Sequence, residues 1–114
     1  MPTIDEVVKF RQEMYERSTA LIKSKGHDYN RKQQMDGDTL FNLQVCKLLG
    51  ITPTAEHGIL VRLSDKFMRL ISLVDADPAT VGESFDDTVV DIHNYVDYVA
   101  LLRRLRTAPN GGSK

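Results

Sequence analysis

The sequence predicts an all-α protein, a helical bundle of about four helices with one long loop after the first. Three observations predict it. Apolar side chains recur at the spacing of an amphipathic helix in four stretches. Capping and stop residues bracket those stretches where helices would begin and end. Hardly a segment alternates apolar and polar residues as a half-buried strand does, and no internal repeat is present. The 114 residues suffice for one domain with its own core. A single domain is expected over residues 1–106, with residues 107–114 as a disordered tail.

The first helix opens on a capping box, Thr3-x-x-Glu6. Ile4, Val7, Val8, Phe10, Met14, Tyr15, Leu21 and Ile22 then recur at helical spacing as far as Lys25, and Gly26 is a natural stop. Glu13 and Glu16 form an ExxE pair, with Arg17 placed at i+4 to pair with Glu13. From Lys25 to Asp38 the periodicity fails, which reads as a long polar loop. It carries Lys25, His27, Asp28, Tyr29, Arg31 and Lys32, a mixture that suits either a phosphate and a base or plain solvent.

A second helix is expected from about Thr39 to Leu49, capped by Asp38, ended by Gly50 and well buried, with Asn42 among its apolar residues in need of partners. Thr54 caps a third helix, about Ala55 to Val74. Its expected core arc holds Ile59, Leu60, Leu63, Phe67, Met68, Leu70, Ile71 and Val74, and Arg62, Asp65, Lys66 and Arg69 collect on the opposite side. Those four are either a salt-bridged surface stripe or a cationic wall facing the next helix. The loop Asp75–Thr80, with Pro78, favours antiparallel packing of that next helix, and the second reading then satisfies both elements.

The last helix runs from about Gly82 past Tyr98, with Arg103, Arg104 and Arg106 suiting its C-terminal dipole. Phe85, Val89, Ile92, Tyr95, Val96 and Val99 mark a core side, and Asp86, His93 and Asp97 face water. Glu83, Asp87, Asp91 and Asn94 fall within an arc of roughly 80°. That arc is continued by Tyr98, Leu101, Leu102 and Leu105, so the acids share a face that turns apolar. Like charges at i,i+4 cost ~0.2–0.5 kcal/mol per pair even in water. Either cationic side chains from a neighbouring helix or a bound metal ion should offset them. Carboxylates suit hard cations, Mg²⁺ or Mn²⁺. The alternative is a solvated acidic face welcomed by the helix N-terminus.

Composition excludes several classes. Fifteen basic against sixteen acidic residues give a net charge of −1, where a DNA- or RNA-binding surface would show a basic excess. The lone Cys46 rules out an intrachain disulfide and reads as a core filler. No run approaches the ~18 apolar residues of a membrane span and no signal pattern opens the chain, so a cytoplasmic protein is expected. No glycine-rich phosphate loop, zinc spacing or nucleophilic triad is present.

The succession K-x-x-DY (Lys25, Asp28, Tyr29), Asn42, LGI (Leu49–Ile51), GILVRLSDKFMRL (Gly58–Leu70) and VGESFDDTVVDIHNY (Val81–Tyr95) resembles a family of small phage and bacterial proteins. They are called nucleotide modification-associated domain 1 and are regarded as relatives of the MazG-like all-α nucleotide pyrophosphatases. The resemblance spans roughly Lys25 to Leu102 and rests on the two longer motifs in combination.

The resemblance implies a helical bundle, usually oligomeric, whose acids hold Mg²⁺ (or Mn²⁺) against a nucleoside triphosphate while water attacks the α–β linkage. Carried onto this sequence, the metal set is Asp65, Glu83, Asp87 and Asp91. Glu83, Asp87 and Lys66 take catalytic roles. Lys25, Asp28, Tyr29, Asn42, Arg62, Lys66, Arg69, Asn94 and Tyr95 bind substrate. A homodimer or homotetramer through the last two helices is expected, since the adjacent basic and acidic stripes and a C-terminal helix apolar nearly all round leave more apolar surface than one small bundle covers, and it is placed in the cytoplasm (the host's, if phage-encoded). One departure stands out. MazG-like enzymes carry ExxE then ExxD, and here Arg62-x-x-Asp65 stands where two acids belong, while Glu83-x-x-Asp86 fits by letter but not by face. A non-catalytic nucleotide-binding or protein-interaction module, such as a sensor or sponge, is therefore the alternative to a Mg²⁺-dependent pyrophosphohydrolase.

Overall fold

Helix-forming signals are realised closely at three termini. The Thr3 hydroxyl accepts from the Glu6 N–H at 3.1 Å, the Thr54 hydroxyl accepts from the His57 N–H at 3.2 Å, and Asp77 Oδ1 accepts from the Ala79 N–H at 2.9 Å. Each satisfies one of the amide donors that a helix start leaves without a partner. The computed structural model describes residues 1–33, 44–81 and 84–109, with side chains described at 1–24, 44–79 and 85–109. The protein is an all-α bundle. The elements are α1 (Ile4–Gln33), α2 (Val45–Leu48), α3 (Ala55–Leu73), α4 (Pro78–Val81) and α5 (Ser84–Arg106). Among the described residues there is no strand, and no helix is long and apolar enough to cross a membrane.

Helix α5 is the element on which the others are arranged. Helix α3 lies along it, α1 touches it more sparingly, and α2 rests on α3. The registers follow from the ion pairs. Lys66 meets Asp91 while Glu56 meets Arg106, so α3 and α5 run antiparallel. Arg17 meets Asp87 while Arg11 and Tyr15 share a cleft with Val96 and Asp97, so α1 is antiparallel to α5 as well. The described core is small: Met14 from α1, Ile59 and Leu63 from α3, Val90 and Ile92 from α5. Each such side chain contributes about 1.5–3 kcal/mol of transfer free energy. The radius of gyration is 16.3 Å, against about 13 Å for a compact chain of this length.

Four expectations need correction. Helix α1 does not stop at Gly26 but continues through it to Gln33, so the expected polar loop is helical backbone over residues 25–33. An internal glycine costs a helix only about 1 kcal/mol, and Arg31, Lys32 and Gln33 are good helix formers that carry the turn onward. Helix α2 is a single turn with no fully buried residue, and Leu48 and Leu49 are exposed. The expected start of that helix, Thr39 to Leu43, lies outside the described residues. The segment before α5 is partly helical, because Asp77 caps α4 and Pro78 occupies its first position, where a missing N–H costs nothing. Finally, the single core arc expected on α3 is two faces. Ile59 and Leu63 are buried, whereas Leu60, Phe67, Met68, Ile71 and Val74 are exposed.

Two glycines fix the α2–α3 corner. Gly50 adopts φ +78° just past α2, with the Ile51 N–H reaching back to the Cys46 carbonyl at 2.8 Å and the Gly50 N–H to the Lys47 carbonyl at 2.9 Å. That is the left-handed termination glycine makes cheaply. Gly58 lets α2 sit directly on α3, since a Cβ there would lie 3.0 Å from Cys46 Cβ. Cys46 is thus a packing residue at a helix crossing.

Candidate functional site

Two neighbouring surface features gather most of the described candidate residues. The first is an open depression of about 380 Å³ lined by Arg62, Asp65, Lys66, Arg69 and Tyr95. Four of these come from consecutive turns of α3, one from α5. The Tyr95 ring is braced by Tyr98 three residues on, with ring centroids 6.1 Å apart and planes tilted by 43°. The depression therefore presents three cationic side chains and a carboxylate beside an aromatic edge.

The second feature is a cleft of about 550 Å³ between α1 and α5, lined by Arg17, Ala20, Leu21, Ser24, Asp87, Val90 and Asp91. Both aspartates are one helical turn apart and face it together. Each is met by a cation from a different helix. Arg17 Nη2 donates to Asp87 Oδ1 at 2.7 Å, with Arg17 Nη1 3.8 Å from Asp86, and Lys66 Nζ donates to Asp91 Oδ2 at 2.9 Å. Their surroundings differ. The Asp87 side chain is 66% exposed and that of Asp91 21%, so the Lys66–Asp91 bond is the less screened of the two. The repulsion along the acid stripe is thus offset by side chains from two helices.

Lys66 links the two features. It lines the cationic depression and bonds to an acid that lines the cleft. The other expected members divide. Asp65 lies in the depression, apart from Asp87 and Asp91. Asn94 follows Asp91 on the same helix face and is only 4% exposed, with its Oδ1 lacking a hydrogen-bond donor among the described residues. An amide oxygen buried that way costs roughly 1–3 kcal/mol. Glu83 and Asn42 lie outside the described residues, as do the side chains of Lys25, Asp28 and Tyr29. Among the described residues no three of His, Cys, Asp and Glu stand together as a metal site. Asp87 and Asp91 supply two carboxylates on one face, which fits a hard cation that takes its remaining ligands from phosphate and water.

Arg17 is the cleft residue that sequence spacing assigned elsewhere. It was expected to pair with Glu13 along its own helix and instead reaches α5, 70 residues away. A signal for this did exist: Arg17 stands three residues after buried Met14 and four before Leu21, on the packed stripe of α1.

At the far end of the α3–α5 seam, Arg106 Nε donates to Glu56 Oε2 at 2.7 Å. Burial pushes the Glu56 pKa up, but the Arg106 hydrogen bond, a bond from its own backbone N–H and the positive charges of Arg106 and His57 outweigh it. The carboxyl ends below its ordinary value of 4.5. This pair is a structural clasp, remote from the two features above. Compared with known proteins, the chain matches no family model, no curated protein and no solved structure.

Proposed function

We propose that this chain binds a nucleoside or deoxynucleoside triphosphate and hydrolyses it, with Mg²⁺ or Mn²⁺, to the monophosphate and pyrophosphate. The observation that carries the reading is Lys66, which lines the Arg62–Arg69 depression and bonds to Asp91 of the neighbouring cleft. A polyphosphate laid against Arg62, Lys66 and Arg69 has its negative charge matched there, and the Tyr95 ring, which lines the same depression, offers aromatic contact to a base. Its phosphates then compete with Asp91 for Lys66, and the released carboxylate faces the cleft beside Asp87.

Asp87 and Asp91 would hold the divalent cation, which supplies phosphate polarisation and an acidified water. The chain's own groups orient the phosphates and balance charge: Arg62 and Arg69 from the α3 side, Arg17 across the cleft. Gly58–Leu70 and Val81–Tyr95 resemble the nucleotide modification-associated domain 1 family, and hydrolysis at the α–β linkage is carried over from the MazG-like relatives of that family, whose paired acids this sequence keeps only in part. The reading belongs to cytoplasmic nucleotide metabolism of a phage or bacterium.

The test is a panel of ribo- and deoxyribonucleoside triphosphates with Mg²⁺ or Mn²⁺, scored for pyrophosphate and monophosphate. Asp87→Asn and Asp91→Asn should each lower turnover by on the order of 10²-fold or more while nucleotide binding persists. A second reading, binding without chemistry, draws on one specific observation: both described acids of the stripe already carry a cationic partner. Metal-independent nucleotide binding by the wild type, with no hydrolysis of any nucleotide, selects that reading.

A further inference from the structure

The cleft of about 440 Å³ between α1 and α5 has no part in the proposed reaction. Val96, on its lining, stands about 180° around α5 from Asp87, so this cleft opens away from the acid pair. It shares no lining residue with the Asp87–Asp91 cleft or with the Lys66 depression. Helix α1 brings Arg11 and Tyr15 to it, and α5 brings Ile92, His93, Val96 and Asp97. Arg11 and Asp97 are opposite charges on opposite helices, and both are exposed. Elsewhere on α5 such charges close on each other, as Arg17 does on Asp87 and Lys66 on Asp91. Here they do not. Among the described residues, neither Arg11 nor Asp97 makes an ion pair or a side-chain hydrogen bond, and neither do the Tyr15 hydroxyl and the His93 ring. The Ser18 hydroxyl at the same cleft is committed to the Met14 carbonyl at 2.7 Å. The remaining lining is apolar or aromatic: Ile92 is buried, Val96 is 47% exposed and Tyr15 66%.

Charge decides which ligand such a cleft admits. A polyanion placed there is repelled by Asp97 and a bare metal cation by Arg11, so attraction from one wall is cancelled by repulsion from the other. A ligand carrying both charges is attracted by both walls. We propose that this cleft binds a free amino acid as its zwitterion. The α-carboxylate accepts two parallel hydrogen bonds from the Arg11 guanidinium, whose planar fork fits such a group. The α-ammonium donates to the Asp97 carboxylate. The ligand's side chain, apolar or aromatic, lies against Ile92, Val96 and the Tyr15 ring, which give a charged tail no partner. The volume falls in the roughly 300–1,000 Å³ range of small-molecule sites. The ligand bridges the sparser of the two long contacts of α5, so it ties α1 to α5 and stabilises the folded chain by mass action. The inference stands independently of the proposed reaction.

Calorimetric titration of the full chain tests it, with L-phenylalanine and L-leucine set against two single-charge analogues, 3-phenylpropionate and phenethylamine. Both amino acids should bind and raise the thermal unfolding midpoint. Each analogue should bind about tenfold more weakly or worse, having lost one charge-assisted bond. Arg11→Gln and Asp97→Asn should each weaken L-phenylalanine binding by about tenfold or more. Both should leave the helical circular dichroism of the ligand-free chain unchanged, since the two side chains are exposed and unpaired among the described residues. Val96→Arg, which fills the cleft with a second guanidinium, provides an independent block should either variant misfold. In proton NMR spectra the Tyr15 ring resonances should shift on addition of L-phenylalanine and those of Tyr95 should not. No binding of either amino acid, an analogue that binds as tightly, or an affinity untouched by all three substitutions overturns the proposal. Shifts at Tyr95 with none at Tyr15 overturn the assignment to this cleft.

Discussion

Helix α5 meets its two long neighbours in different ways. Against α3 the seam holds fully buried Ile59 and buried Leu63, and it is clasped at one end by Glu56–Arg106 and toward the other by Lys66–Asp91. Against α1, among the described residues, Met14 and Ser18 are buried, the bridges from Arg17 to Asp86 and Asp87 are exposed, and clefts of about 550 and 440 Å³ remain between the two helices. The contrast teaches where a small bundle keeps its rigidity and where it keeps its room. Binding space sits beside the looser contact, while Lys66, held in the tighter one, bonds to an acid that lines that space. That division suits a site which must hold charge in fixed positions yet admit a ligand.

Matched substitutions on the two sides put the contrast under strain. The largest effect is expected at the α3–α5 seam: Ile59→Ala should cost about 2–5 kcal/mol in urea unfolding, and Met14→Ala should cost less, because the α1 site collapses more readily. Equal losses would erase the distinction. Next comes the clasp. Arg106→Ala strands the Glu56 carboxylate, which is nearly buried, and should cost about 1–3 kcal/mol near neutrality. The sign with pH follows from Glu56. Its folded pKa lies below the ordinary 4.5, so its contribution is fully present above that value and is lost as pH falls through the folded one. Wild type and Arg106→Ala should therefore converge in stability in acid. A difference that persists unchanged would assign the loss to arginine packing instead.

Arg17→Ala, on the open side, should change stability by only about 0–1 kcal/mol, the range of exposed ion pairs. It should still weaken binding of a triphosphate measured by calorimetry. Smallest in magnitude and opposite in sign, Asn94→Leu should leave the ligand-free fold as stable or slightly more stable, since it removes a buried acceptor with no donor among the described residues. A marked loss would show that Asn94 already has a structural partner.

The sequence made α3 and α5 legible because their signals are local. Thr54 announces the start of α3, and two stripes of opposite charge separated by a short connection predict that Lys66 faces the acids. Arg17 shows the limit. An i+4 acid on its own helix offered a sufficient local explanation, and a bond to Asp87 leaves no trace in spacing. Gly26 misled for a related reason, since one residue's preference is worth about 1 kcal/mol and neighbours can outvote it. The α3 periodicity was correct about which residues are apolar and silent about what covers them, so Phe67 and Ile71 were counted with Ile59. The metal set stays open in the same sense: helical angle groups Asp87 with Asp91, but which other groups approach them is decided by backbone between helices.

One consequence of the topology concerns time. Only the single turn α4 separates helices α3 and α5, and Lys66 finds Asp91 25 residues along, whereas Arg17 must find Asp87 across 70. Closing the longer loop carries a larger entropic cost, so the α3–α5 hairpin is expected to assemble in the folding transition state and α1 to dock afterwards. In stopped-flow chevrons, Ile59→Ala should slow refolding and Met14→Ala should chiefly speed unfolding. The helix that borders the cleft would then be the last to arrive and the first to leave.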